Sequence, residues 1–411
     1  MPETKKKTET ALEAVLSGRV PEDRAILREL TEGLEPLAGF LRDQYLTTYI
    51  PAGGSKIKFI TGRPGSGKTH FLHLMREIAR EEKYITVSFS AKEVWLHDFR
   101  EIYLQALRQT DLERLLRGCA EEIIRDLGYD PSAIPEGKTL MDFLSERGEV
   151  DPLTKNDIRT ALRRRFTRNP RLDSGFAGCC SLLTGSLLGH PVLEKASWDL
   201  VMACLNGEKG IKSAQLRLLG LSPMVITKYN ARHLLRSLAE LTHLAGYQGL
   251  LIQIDDMEAL LNRTEGNGNK YTRLRREDAY ESIRQLIDDI DNMRFVLFML
   301  AFDRELIDNE DYGLKSYQAL WLRIQNEVIS TRFNGFADMI DLDRYGDTAY
   351  MPEALNRMAE KLEHYLRREG AACYPMSEET LAQLISRAEY GGLGLPFLVN
   401  RTIVEGATEH V

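Results

Sequence analysis

The stretch Lys56-Ile57-Lys58-Phe59-Ile60-Thr61-Gly62-Arg63-Pro64-Gly65-Ser66-Gly67-Lys68-Thr69 decides the fold. Its first six residues alternate and end in an apolar, β-branched run, which predicts a short strand. The next eight fit G-x-x-x-x-G-K-[ST], and the amphipathic pattern from Lys68 to Glu82 predicts a helix directly behind them. A strand feeding a glycine-rich turn feeding a helix is the context that separates a phosphate-binding loop from a chance match in a turn. Gly62, Gly65 and Gly67 let the backbone curl until its N–H groups face one point. The helix start adds the positive end of its dipole there. A lysine at 68 reaches β- and γ-phosphate oxygens, and the Thr69 hydroxyl ligates Mg²⁺. The expected nucleotide-binding set is therefore Gly62, Arg63, Pro64, Gly65, Ser66, Gly67, Lys68 and Thr69, with His70 following on the helix. The expected ligands are ATP and Mg²⁺.

Working outward, residues 84–90 read as a second strand, and Leu250-Leu251-Ile252-Gln253-Ile254-Asp255-Asp256 reads as a buried strand ending in two carboxylates. Residues 295–300 form another apolar strand and 339–342 a short last one. Helices are expected at 273–290 and 314–330. Strands alternating with helices imply a parallel sheet covered on both faces, an α/β fold of the P-loop NTPase class. Between residues 94 and 244 the pattern is helical, too long for one crossover, and implies an inserted helical unit. Residues 8–45 read as two helices broken near Gly18 and Pro21. The expected division is an N-terminal helical arm (1–50), the first part of the core (51–97), a helical insertion (98–235), the second part of the core (236–345) and a C-terminal helical lid (346–411).

In such a sheet the 250–256 strand points its tip at the phosphate loop, with the 295–303 strand between the two. Asp255 is then the Mg²⁺ carboxylate, and Asp256 takes the place of a water-activating glutamate. Aspartate is one methylene shorter, so hydrolysis is expected to be slow or to use Glu258, whose plainer reading is a first-turn helix acid. Asp303 ends its strand where a polar residue senses γ-phosphate; a simple helix N-cap is the alternative.

The bulk numbers restrict the rest. Lys plus Arg number 54 against 61 Asp plus Glu, a net charge of −7, which argues against a chain that coats nucleic acid by charge alone. The local exceptions are Arg163, Arg164, Arg165, Arg168 and Arg171, then Lys270, Arg273, Arg275 and Arg276. Both would touch DNA phosphate rather than read bases. The alternative is a solvated helix face, and for the second group Glu277, Asp278 and Glu281 stand nearby as partners. Five cysteines show no zinc spacing, so adjacent Cys179 and Cys180 read as core residues. Residues 175–188 read as a buried helix pair. No run is long enough to span a membrane and no secretory pattern opens the chain, so a cytoplasmic protein is expected.

Several places resemble the P-loop ATPases of BREX phage-defence systems, the BrxC/BrxD group. One is the lead-in Ala11-Leu12-Glu13-Ala14-Val15-Leu16-Ser17-Gly18-Arg19-Val20-Pro21. Another is His70-Phe71-Leu72 after the phosphate loop. The most specific run goes from Leu205-Asn206-Gly207-Glu208 through Leu218-Leu219-Gly220-Leu221 to Gly246-Tyr247-Gln248-Gly249 and on to Asp255-Asp256-Met257-Glu258. The departures are Asp256 in place of Glu and Ala301-Phe302-Asp303 in place of Ala-Gly-Thr. The length suits the shorter, BrxD-like member. The resemblance implies an AAA+-like homo-oligomeric ATPase, duplex DNA as partner, and a helicase or methyltransferase as neighbour in defence. Ser330-Thr331-Arg332-Phe333 is also similar to the arginine box of bacterial replication initiators. It makes Arg332 the candidate finger toward a neighbouring subunit, with Arg323 and Arg304 as alternatives. Phe397 stands where related lids carry an arginine, and Arg401 lies one turn later. An ATP-binding switch or scaffold that recruits proteins, hydrolyses little and touches no DNA is the rival reading.

Overall fold

The computed structural model describes residues 10–150, 152–261, 270–328, 333–371, 373 and 375–408. Five strands build one parallel sheet: β1 (Ser55–Gly62), β2 (Tyr84–Ser90), β3 (Gly249–Asp255), β4 (Val296–Asp303) and β5 (Met339–Asp341), in the order β2-β3-β4-β1-β5. The two inner neighbours of β1 and β3 are the same strand, β4. Its register aligns Gly62 with Asp303, while β2 aligns Ser90 with Asp255. The carboxyl ends of four strands therefore lie together, where ligands bind in open α/β sheets.

Period-two alternation explains why both faces are covered. Val296, Phe298, Leu300 and Phe302 of β4 pack into the core shared with the helices that follow β2, whereas Leu297, Met299 and Ala301 face the opposite layer. That opposite layer contains α3 (Glu35–Leu41) and α4 (Lys68–Glu81). Lys58 is fully buried on β1 and donates to the carbonyls of Gly335, Phe336 and Ala337 at 3.3, 3.0 and 2.6 Å. It thereby fixes the chain leading into the three-residue edge strand β5.

Three differences from the sequence reading have local causes. The N-terminal segment is broken more often than expected, into α1 (Ala11–Leu16), α2 (Arg24–Leu30), α3 and a π-helical turn, Arg42–Tyr49. Thr31 is extended, Gly33 has φ +81°, and Pro36 opens α3, so no helix runs through residues 31–34. The apolar run 175–188 is one helix, Ser174–Leu188, rather than a pair. Asp173 caps its start by accepting from Gly175 and Phe176, and its glycines give close contacts instead of a break. The expected 314–330 helix begins as a separate 3-10 turn, Leu314–Ser316, before Gln318–Val328.

Among the described residues, eight α-helices between Phe99 and Leu244 form a common core that also receives one face of the sheet. Cys119, Cys179, Cys180 and Cys204 are buried within it, and no His/Cys/Asp/Glu group suited to a metal occurs among the described residues. The C-terminal helices Pro352–Arg368, Glu378–Gly391 and Leu395–Thr408 make a separate small core, which takes in Val15 of α1. Among the described residues no helix is long and apolar enough to cross a membrane.

Candidate functional site

β1 ends at Gly62 and α4 starts at Lys68, so the glycine-rich loop spans only five residues. Gly65 and Gly67 have φ of +81° and +94°, a region closed to most side chains, and a Cβ on Gly62 would lie 2.4 Å from Ser66 Oγ. Ser66 Oγ is buried without a hydrogen-bond partner, an unused polar atom inside the cradle. Lys68 is 8% exposed and folds back across the loop. Its ammonium donates to the carbonyls of Gly62 and Arg63 at 3.2 and 3.0 Å and pairs with Asp303 Oδ1 at 2.7 Å.

At the next residue, Thr69 Oγ1 donates to Asp255 Oδ2 at 2.8 Å. These are the two oxygen donors a Mg²⁺ ion takes in P-loop sites, already side by side. Burial, then the adjacent Asp256 charge, raise the Asp255 carboxyl above the usual carboxylate range, against the Thr69 hydrogen bond. A cation there relieves both burdens. The residues fit a nucleoside triphosphate with its metal.

The acidic turn after β3 divides its carboxylates between two directions. Asp256 has φ +58°, with its N–H on Asp255 Oδ1 at 2.8 Å. This left-handed turn sends its side chain to the end of β2, where Ser90 Oγ and Lys92 Nζ both donate to it at 2.6 Å. Glu258, in the 3-10 turn Met257–Leu261, leans the other way and accepts from the Asp303 N–H at 3.3 Å. Burial first, then the charge of Asp303, push the Glu258 carboxyl up to about 7, with Lys92 3.8 Å away opposing them. Asp303 is thus joined to Lys68 and Glu258; the following short helix, Glu305–Asp308, is entered through Arg304 without a side-chain cap.

Other expected members of the site point elsewhere. Arg63 turns outward: its N–H and Nε meet Asp343 at 2.8 and 3.3 Å, and Nη1 donates to the Ala388 carbonyl at 2.7 Å. Pro64 and Gly65 accept, through their carbonyls, from the N–H groups of Gly394 at 2.9 Å and Phe397 at 3.3 Å. The C-terminal helices therefore rest on the outer surface of the loop. His70 faces Thr31 Oγ1 at 2.8 Å behind the loop, and burial lowers its pKa to about 4. Arg304 is bound to Asp341 at 3.1 Å and Arg323 to Asp288 at 2.9 Å, while Arg332 lies outside the described residues. Lys92 was missed in the sequence; its one signal was a cation two residues beyond a strand end.

The basic runs are also divided. Arg163, Arg164, Arg168 and Arg171 are exposed, but Arg165 is tucked in, donating to the carbonyls of Cys119 and Leu244 at 3.3 and 3.4 Å and to Asp126 at 3.3 Å. In the second run Arg276 is 6% exposed and donates to Leu260 and Tyr271 carbonyls at 2.7 and 3.4 Å. Arg275 lies over the Trp95 ring, and Arg273 pairs with Glu277 at 2.9 Å.

Comparison with known proteins assigns the family of the chain. The model of the family described as BREX system ATP-binding protein BrxC/D matches residues 4–405, and the chain belongs to that family. No curated protein and no solved structure is a significant match.

Proposed function

We propose that this BrxC/D family member binds ATP with Mg²⁺ on the loop from Gly62 to Thr69 and hydrolyses it, as an AAA+-like cytoplasmic assembly that engages duplex DNA with other phage-defence proteins. The hydrogen bond between Thr69 and Asp255, 2.8 Å long at the mouth of the loop, carries the nucleotide reading. Backbone N–H groups at the start of α4, from Gly67 to Thr69, face the phosphates, and the dipole of α4 reinforces them. Lys68 leaves Asp303 to meet the β- and γ-phosphate oxygens. Thr69 and Asp255 hold the metal, which neutralises charge on those oxygens when bound. The C-terminal helices resting on Pro64 and Gly65 act as the lid, and Arg332 reaches a neighbouring subunit's phosphate.

DNA engagement rests on the exposed arginines of the 163–171 run, which offer charge without base-reading geometry. The second reading, a nucleotide-dependent scaffold with little turnover, is favoured by one observation. Phe397, on the helix resting on the loop, supplies only its N–H there, where an arginine would supply charge. The rate of phosphate release separates the two readings.

Lys68→Ala is the test of the site. It removes the inward-facing charge, and ATP affinity measured by calorimetry is expected to fall at least about tenfold, roughly 1.4 kcal/mol. Unchanged affinity in a folded variant overturns the ATP-binding reading.

A further inference from the structure

β3 has two neighbours, and they lie on opposite sides of the nucleotide question. β4 separates it from β1 and the phosphate loop, while β2 lies on the far side. Asp256 is committed to the far side by its left-handed turn and by its two donors, Ser90 and Lys92. Glu258 crosses to the near side and meets the N–H of Asp303, whose own carboxylate is on Lys68. From Lys68 to Glu258 there is therefore a single intervening residue, at the strand tip that is in register with Gly62.

We propose that Glu258 is the residue that orients the attacking water and takes its proton, and that Asp256 is a positioning residue that holds Lys92 beside it. This assignment rests on the ATP-hydrolysing reading above and deepens it. The water oxygen forms a bond to the γ-phosphorus as the bond from that phosphorus to the β,γ-bridging oxygen breaks. The electron pair of the broken bond leaves on ADP. The water proton passes to a Glu258 carboxylate oxygen and returns to solvent or to the released phosphate, so no external oxidant or reductant enters.

Three features equip Glu258 for this. Its side chain is partly buried, 24% exposed, which limits the bulk water that reaches it. Its pKa lies near neutral pH, where a general base is most effective. When phosphate draws Lys68 away, Asp303 loses its cation and adds its negative charge to the same space, which raises the basicity of Glu258 at the moment the substrate is seated. The groups facing Glu258 are Asp303 from β4, Lys92 from beyond β2 and Asp256 from its own turn. Of these, Lys92 is the cation that draws the carboxyl back toward its ionised form.

Single-turnover hydrolysis with a nucleotide-binding control tests the assignment on the full chain. Glu258→Gln is expected to slow phosphate formation by about 100-fold or more, with ATP affinity within about threefold of wild type. Asp256→Asn is expected to hydrolyse within about tenfold of wild type. Should Glu258→Gln not fold, Glu258→Asp keeps the acid but withdraws it by one methylene, and a tenfold or larger loss with ATP still bound supports the assignment. Near-wild-type turnover in Glu258→Gln, or in Glu258→Asp where that variant stands in, overturns it; loss of turnover in Asp256→Asn with Glu258→Gln active gives the role to Asp256. A wild-type chain that binds ATP and never releases phosphate also overturns it but leaves the nucleotide site standing. A chain that does not bind ATP removes the reading beneath it.

Discussion

The phosphate loop and the arginine run at 163–171 are both dense, local signals in the sequence, yet they fold to opposite effect. In the loop Lys68, Thr69 and the glycines are used within one small volume, and only Arg63 turns outward. Thr69 meets Asp255, Lys68 meets Asp303, and the glycines allow the curl that brings them there. In the arginine run, adjacent residues part company. Arg164 is exposed with only Asp126 at 3.0 Å, while Arg165 is inserted between two helix carbonyls. A motif whose spacing is dictated by a bound polyanion keeps its members together. A run of like charges carries no such requirement, so each member goes where its own backbone direction sends it. The π-helical turn Arg163–Thr167 alters the side-chain directions that an α-helix would give and widens this divergence.

The largest effect that can break this comparison is on folding rather than binding. Arg165→Ala removes a charged donor from the carbonyls of Cys119 and Leu244 and from Asp126, leaving two part-buried carbonyls short of a partner. A loss of about 2 kcal/mol in unfolding free energy is expected by chemical denaturation. A variant as stable as wild type means that Arg165 is as free as its neighbours, and the contrast between the two regions falls.

The next effect lies at the tip of β4 beside the loop and has the opposite sign. Asp303 competes with phosphate for Lys68, so Asp303→Asn removes both the competitor and a negative charge facing the substrate. ATP affinity is expected to rise by about threefold to tenfold, at most about 1.4 kcal/mol, in calorimetric titration. A fall in affinity instead assigns Asp303 to holding the loop in shape. Removing a charge beside the loop then retunes a ligand site, whereas removing one from the arginine run damages packing.

What could be read from the sequence follows the same division. The strands and α4 were legible because their apolar period is regular and their ends are marked by glycine or acid. The meeting of Thr69 and Asp255 follows from strand order and register alone. The directions of Asp256 and Glu258 were not legible, because a single residue at φ +58° decides them and nothing in Asp-Asp-Met-Glu announces that turn. His70 was included by adjacency, yet one helical step past Thr69 turns it toward Thr31. The hydrogen bond of Gly394 with Pro64 joins residues 330 apart in the chain, and no local pattern encodes it. Elements were visible; the choice among side chains at a turn was not.

The smallest expected effect on folding sharpens the comparison from the other end. Arg163, Arg164 and Arg168 are exposed, and the ion pair of Arg164 with Asp126 is of the solvent-screened kind. Replacing all three by alanine while keeping Arg165 is expected to change unfolding free energy by no more than about 0.5 kcal/mol. The same variant isolates the DNA question, which a substitution set including Arg165 would confuse with loss of structure. When these side chains neutralise DNA phosphates, counterions are released. Each phosphate left without its arginine therefore flattens the dependence of affinity on salt by close to one charge. The slope of log affinity against log salt on duplex DNA is expected to fall by up to about three, and equally on unrelated sequences, because phosphate pairing carries no base information. A variant with unchanged stability and an unchanged slope removes this face as the DNA surface. It then passes the question to Lys270, Arg273 and Arg275, since Arg276 is held inside by Leu260 and Tyr271. A lowered slope with unaltered stability would instead show that an arginine run can divide its labour cleanly, one member for the fold and the others for the partner.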